Sequence, residues 1–275
     1  MRKKPMDRLL SILVWASAGI TFFVLLYLVG YILLNGIPYL KTSLFALHFN
    51  SENVSLLPAL VTTLYMVGLS LGIAVPVGLF TAIYLVEYAK KGNRFVKLVR
   101  MTAETLSGIP SIIYGLFGLL IFVYRLGWGK SLLSGSLTIS IMILPLIMRT
   151  AEESLKAVPD SYREGAFGLG AGRLRTVFRI VLPSASPGIL AGVILAVGRM
   201  VGETAALIYT AGTVPQIPPN VFVSGRTLAL HMYALSGESL YTGQAYATAV
   251  VLLVMVIGIN ALSARVAKQV VKGRI

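Results

Sequence analysis

Cysteine is missing from all 275 residues. Disulfides, thiolate metal sites and thiol nucleophiles are therefore excluded. Acidic residues are scarce, 10 Asp and Glu against 24 Lys and Arg, and the two histidines, His48 and His231, stand apart in what read as outer loops. No nucleophile–base–acid set and no metal-ligand spacing can be assembled from that stock. Nucleotide loops are lacking too. Gly129-Lys130-Ser131 ends like a phosphate-binding loop, but Tyr124 stands where the first glycine is required. Gly168-Leu-Gly-Ala-Gly172 follows no strand and reads as a break between two short helices.

Apolar chain is what the sequence has in quantity. Hydrophobic residues make up 56%, charged ones only 12%, and the mean hydropathy is +0.83. Several runs reach the roughly 20 residues needed to cross a hydrocarbon core of about 30 Å. The composition specifies an all-α integral membrane protein with helices at 9–35, 58–86, 102–124, 132–148, 187–210 and 242–264. The first run is about 25 residues long, against about 7–15 for the apolar part of a signal peptide, so it reads as a retained helix.

The net charge of +14 is a topology signal. On the six-helix reading, most Lys and Arg fall into four segments on one side. These are Arg2, Lys3, Lys4 and Arg8; Lys90, Lys91, Arg94, Lys97 and Arg100; Arg149, Lys156, Arg163, Arg173, Arg175 and Arg179; and Arg265, Lys268, Lys272 and Arg274. The positive-inside rule puts those segments and both termini in the cytoplasm, and nucleic acid is not needed to explain the charge. Gly68/Gly72, Gly188/Gly192 and Gly198/Gly202 are small residues spaced by four and read as helix-packing positions. Across the membrane, Thr227–Leu235 reads as a short helix.

The loop over 149–186 is too long for a tight turn and is rich in charge. Ser161-Tyr-Arg-Glu164 fits a capping box, with Ser161 capping a short helix and Glu164 reaching back. Small residues follow, then the glycine break, then a second helix that Pro183 is expected to stop. Such an exposed helix suits docking into a groove on a cytoplasmic partner.

At this loop the chain resembles a known family. Glu164-Gly165-Ala166, then Gly170, Ile180 and Leu182-Pro183, has the spacing of the EAA loop of binding-protein-dependent ABC-importer permeases, departing only at Gly165, where alanine is usual. Further stretches at 82–89, 106–118, 149–172 and 198–212 resemble the PstA-type permeases of phosphate importers. The resemblance implies a MetI-like fold with one permease domain over 1–275, set in the inner membrane. It implies that Glu164, Gly165, Ala166, Gly170, Ile180, Leu182 and Pro183 couple the chain to an ATPase. The implied partners are a sister permease in a heterodimer, two cytoplasmic ATPase subunits, an extracytoplasmic phosphate-binding protein and membrane lipid. No cofactor is expected on this chain, ATP and Mg²⁺ being used by the partner ATPase. A permease for another oxyanion or small solute shares the fold, and an ion-coupled secondary transporter is the rival from another class.

One anomaly remains in the spans. Arg199 and Glu203 stand inside an apolar run. With a helix starting near Pro187, Arg199 lies about 12 residues in, or roughly 18 Å. At i,i+4 the two would share a face, and an intramembrane charge costs about 2.5–3.5 kcal/mol unless it meets protein or water. Two readings stay open: an ion pair locking this helix to a neighbour, or a substrate path. In the second, Arg199 offers its planar fork to phosphate, Glu203 holds Arg199 or takes the proton of a protonated phosphate oxygen, and Thr204 supplies a hydroxyl. Arg149 reads as an interfacial anchor near Glu152 and Glu153.

Overall fold

The computed structural model describes residues 5–90 and 92–272. Arg2, Lys3, Lys4, Lys91 and Arg274 of the basic segments lie outside the described residues. The described chain is helical throughout, with no strand. Its elements are α1 (Pro5–Gly36), α2 (Leu57–Tyr88), α3 (Arg94–Ser107), α4 (Ser111–Arg125), α5 (Leu132–Lys156), α6 (Asp160–Gly168), α7 (Arg173–Val201), α8 (Leu207–Thr210), α9 (Leu228–Ser236) and α10 (Thr242–Lys272).

The α2–α5 pair forms the centre. Ile139, Ile143 and Ile147 of α5 are buried against Met66 and Ala74 of α2. Water is not there to satisfy polar groups in a membrane interior, so hydroxyls bridge the two helices instead. Ser70 Oγ donates to the Ser136 carbonyl at 3.1 Å, and Ser140 Oγ returns to the Ser70 carbonyl at 3.2 Å. The first-turn amides of α5 are taken up by the long loop after α8: Leu132 N–H donates to Val223 and Leu133 N–H to Val221. By contrast α1 is exposed along nearly its whole length. It is held at its end, where Tyr31 meets Tyr246 edge-on at 5.9 Å and Gly36 lets the backbone of α10 approach so closely that a Cβ would clash.

Three of the expected helices are redrawn. The run expected as one helix over 102–124 is two, with α3 bent 104° from α4. Pro110 has no amide to donate and pushes Ile109 out of helical conformation, so the chain turns at Gly108-Ile109-Pro110. The Tyr114 hydroxyl closes the corner by donating to the Leu106 carbonyl at 2.7 Å. The helix expected over 132–148 runs on to Lys156 as α5. The helix expected over 187–210 starts at Arg173 and ends at Val201. Pro183 therefore does not stop a helix. A π-helical turn at Val177–Val181, just before it, widens the ladder, and both Pro183 and Pro187 are carried inside α7. The 149–186 loop shrinks to α6 and its two short connections.

Of the three small-residue pairs, one packs. Gly188 and Gly192 meet Ser154 and Thr150 of α5, whereas Gly68, Gly72 and Gly198 face open space, and Gly202 meets only a carbonyl of its own turn. The expected short outer helix is present as α9, with Thr227 accepting from the Leu230 amide.

Candidate functional site

At the basic end of the bundle, α6 is fastened by one guanidinium. Arg163 Nη2 donates to Glu87 Oε1 at 2.7 Å and Nε to the same oxygen at 3.1 Å. The remaining donors go to the carbonyls of Leu155 (2.9 Å) and Val158 (2.8 Å) and to Asp160 Oδ1 (3.1 Å). The side chains are 14% exposed for Arg163 and 7% for Glu87. One residue thus ties α6 to the end of α2 and to the end of α5. Arg173 adds a second tie, lying 5.4 Å over the Tyr88 ring. Alongside, nearly buried Glu152 accepts from Arg100 at 2.7 Å and Lys156 at 2.6 Å, while Arg149 pairs with Glu153 at 3.0 Å.

The outer surface of α6 is left free by this arrangement. Glu164 and Gly165 are exposed, and Ala166 is buried beneath them. The expected capping box is not formed. The helix begins at Asp160 behind Pro159 without a side-chain cap, which moves Ser161 inside the first turn, so Glu164 has no cap amide to reach. The end of α6 is well specified. Gly170 sits at φ +78°, its amide bonds the Phe167 carbonyl, and the Ala171 amide bonds the Ala166 carbonyl. That is the left-handed Schellman ending that glycine adopts without steric cost. Around this ending Leu169 is 92% exposed, and Tyr162, Phe167 and Leu174 are exposed with it. A cluster of large apolar side chains on a charged, water-facing end marks an interaction surface. Of the other residues matched to the loop pattern, Ile180, Leu182 and Pro183 are half-buried in the first turns of α7, behind α6.

At the other end of α7 the expected pair is pulled apart. Arg199 is in the last turn, where its charge complements the helix dipole. Gly202 caps the helix and the chain turns away, so Glu203 does not continue the Arg199 face. Instead Glu203 Oε1 accepts the Ala206 amide at 3.1 Å, and the Thr204 carbonyl accepts from Leu207 and Ile208, which opens α8. Arg199 is exposed and has no ion pair among the described residues. It fronts a groove of about 600 Å³ with Leu146, Ile194, Leu195 and Asn260.

The sequence reading missed two buried polar pairs. Glu87–Arg163 spans 76 positions, and its only local signal is a carboxylate closing an otherwise apolar helix. His231, expected in a loop, is fully buried on α9 beside Arg226, which lies 5.1 Å over the Phe49 ring. Burial and the Arg226 charge lower the His231 imidazole to about 3, and the Val54 backbone draws the other way although its geometry falls short of a hydrogen bond. Burial brings Arg226 down to about 10, opposed by Glu238.

Residues 74–272 match the family described as "Binding-protein-dependent transport system inner membrane component". A probable ABC transporter permease of Bacillus subtilis, YqgI, is 32% identical over 87% of this chain and 86% of its own. The phosphate transport system permease PstA of Haemophilus influenzae is 30% identical over 94% of this chain and 92% of its own. Among solved structures, a bacterial alginate ABC transporter chain superposes with a TM-score of 0.68 at 20% identity, covering 96% of each chain. A chain of the MetNI methionine transporter does so with 0.60 at 20%, covering 78% of this chain and 93% of its own. At those identities the two structures speak for the fold.

Proposed function

This chain belongs to the binding-protein-dependent transport inner membrane components, the permease subunits of ABC importers, and we propose that its cargo is inorganic phosphate. The observation that carries the cargo assignment is Arg199: a guanidinium in an apolar membrane helix, without a carboxylate partner among the described residues, at an open groove. An unpaired cation on an apolar span is costly, and an oxyanion offsets that cost with paired hydrogen bonds. Relatives named for phosphate transport, aligned over most of the chain, support the same cargo.

Permeases of this family are transport components, not enzymes, set in the inner membrane with ATPase subunits and an external binding protein. For this chain we assign the finer arrangement as follows. The basic end and both termini face the cytoplasm. The partners are a sister permease in a heterodimer, two ATPase subunits that use ATP and Mg²⁺, and an extracytoplasmic phosphate-binding protein. The exposed face of α6, with Glu164, Gly165 and the apolar tip beyond Gly170, seats in the ATPase. Ile180, Leu182 and Pro183 carry its movement into α7, and α7 carries it to Arg199 through a single unbroken helix. There Arg199 takes the anion; Thr204 and Glu203, in the turn after the helix end, are assigned to the same path, Thr204 to offer a hydroxyl and Glu203 to accept the proton of a protonated phosphate oxygen through a hydrogen bond.

The test is Arg199→Leu in the assembled, reconstituted transporter. Phosphate uptake is expected to fall by at least about tenfold, the loss of roughly 1.4 kcal/mol of anion stabilisation. ATPase stimulation and membrane insertion should be kept. Normal uptake by this variant overturns the substrate-path role.

A further inference from the structure

The bend between α3 and α4 has a second consequence. If α4 crosses the membrane, α3, turned 104° from it, runs along the membrane plane. Its two flanks differ. On one, Arg100 is consumed by Glu152. On the other, Phe95, Leu98 and Leu106 of α3 face Phe80 and Tyr84 of α2 and Met148 of α5 across a groove of about 630 Å³. Apart from hydroxyls, the groove offers no polar partner.

Two features say what fills it. First, the groove is continuous with the exposed apolar surface of α2, where Val77, Phe80 and Tyr84 point away from the protein, so it opens sideways to the bilayer. Second, the first turn of α3 and the connection leading into it are basic. Lys90, Arg94 and Lys97 are exposed and have no ion pair among the described residues. A helix with one apolar flank and a basic border, lying in the plane, is built for the headgroup–acyl boundary. Basic residues there gain from anionic lipid, about 1 kcal/mol each near the surface.

We infer that this groove binds an anionic phospholipid, with an acyl chain between α3, α2 and α5 and the headgroup phosphate held by Arg94, Lys97 and Lys90. The bound lipid fills the corner between the in-plane helix and the spans. It thereby holds α3 against Met148 of α5, the helix whose Leu155 carbonyl accepts from Arg163.

The assembled transporter, reconstituted with trace phosphatidylglycerol carrying a photoreactive acyl chain, tests this against the same probe built on phosphatidylcholine. The glycerol lipid should label peptides within 80–106 several-fold more than the choline lipid. The paired change Arg94→Gln with Lys97→Gln should erase that difference. Thr102→Trp, at the exposed rim, should block labelling by both probes while leaving the basic residues in place. Equal labelling by the two headgroups overturns the inference. So does label spread evenly along α1, or a photo-crosslinker at residue 102 that captures another subunit in place of lipid.

Discussion

Arg163 is the residue whose loss should do most damage per atom removed. All its donors are used, by Glu87, Asp160 and the carbonyls of Leu155 and Val158. Arg163→Met keeps the apolar stem but leaves the Glu87 carboxylate buried without its cation. Removing one partner of a buried pair costs about 3–5 kcal/mol, mostly as the desolvation of the survivor. The cost falls on the docking of α6, because among the described residues that helix has no other ion pair to α2. Lysine is no rescue. Three donors on a point charge cannot serve a carboxylate and two carbonyls in one plane. The absence of native cysteine provides the assay. Ala166→Cys puts a thiol on the buried side of α6, where a reagent reaches it only when the helix lifts. A loss of about 3–5 kcal/mol in docking should raise the labelling rate by roughly two to three and a half orders of magnitude, at about 1.4 kcal/mol per tenfold. The same change should uncouple ATP hydrolysis from uptake. Adding Glu87→Met to Arg163→Met should recover much of the protection, since a buried pair replaced whole is often close to neutral. A labelling rate within about threefold of the parent in Arg163→Met, where one tenfold is about 1.4 kcal/mol, refutes the pin.

Gly165→Ala should stabilise α6 by up to about 1 kcal/mol and leave uptake intact, because a Cβ there meets nothing; a drop in α6 protection in hydrogen exchange counts against it. Gly170→Ala forces a side chain into the left-handed region, at about 1–2 kcal/mol, and should fray the end of α6 and lower coupling with normal insertion; unchanged hydrogen exchange over 166–171 would sink the Schellman reading. His231 carries its proton more readily unfolded, at 6.5, than folded, at about 3. Its contribution to stability is therefore whole above pH 6.5 and is lost as pH falls toward 3. His231→Leu should lose less melting temperature than the parent over that window, and parallel melting curves in acid contradict it.

The membrane class, the strand-free fold and the basic end were all legible in the sequence, because each rests on composition or on charge counted along the chain. The short helix α6 and its glycine ending were legible by spacing, and the structure adds why Gly170 must be glycine. The Arg163–Glu87 pair was not, since partners 76 positions apart leave no local pattern. The Arg199–Glu203 pairing failed for a nearby reason. Spacing of four residues implies one face only while the helix continues, and here it ends at Val201. Nothing in Val201-Gly202-Glu203-Thr204 forbids helix; a single glycine costs only about 1 kcal/mol.

Proline shows where that limit comes from. Pro76, Pro145, Pro183 and Pro187 all lie within continuous helices, and Pro110 alone of these five stands at a break. The residue type is the same, and each removes one amide and crowds one carbonyl. What differs is how the neighbourhood absorbs the loss. At Pro183 a π-helical turn gives the ladder an extra residue. Pro145 is buried in α5, where the helix runs on unbroken among packed neighbours. At Pro110 the Tyr114 hydroxyl instead takes the Leu106 carbonyl, and the corner becomes the stable form. Tyr114 is itself buried against the core that α5 builds. A proline in a membrane sequence therefore marks a point of choice, and the outcome is written in the helix that packs against it. In this chain the choice at Pro110 turns α3 104° away from α4, and the groove between α3, α2 and α5 lies beside that turn.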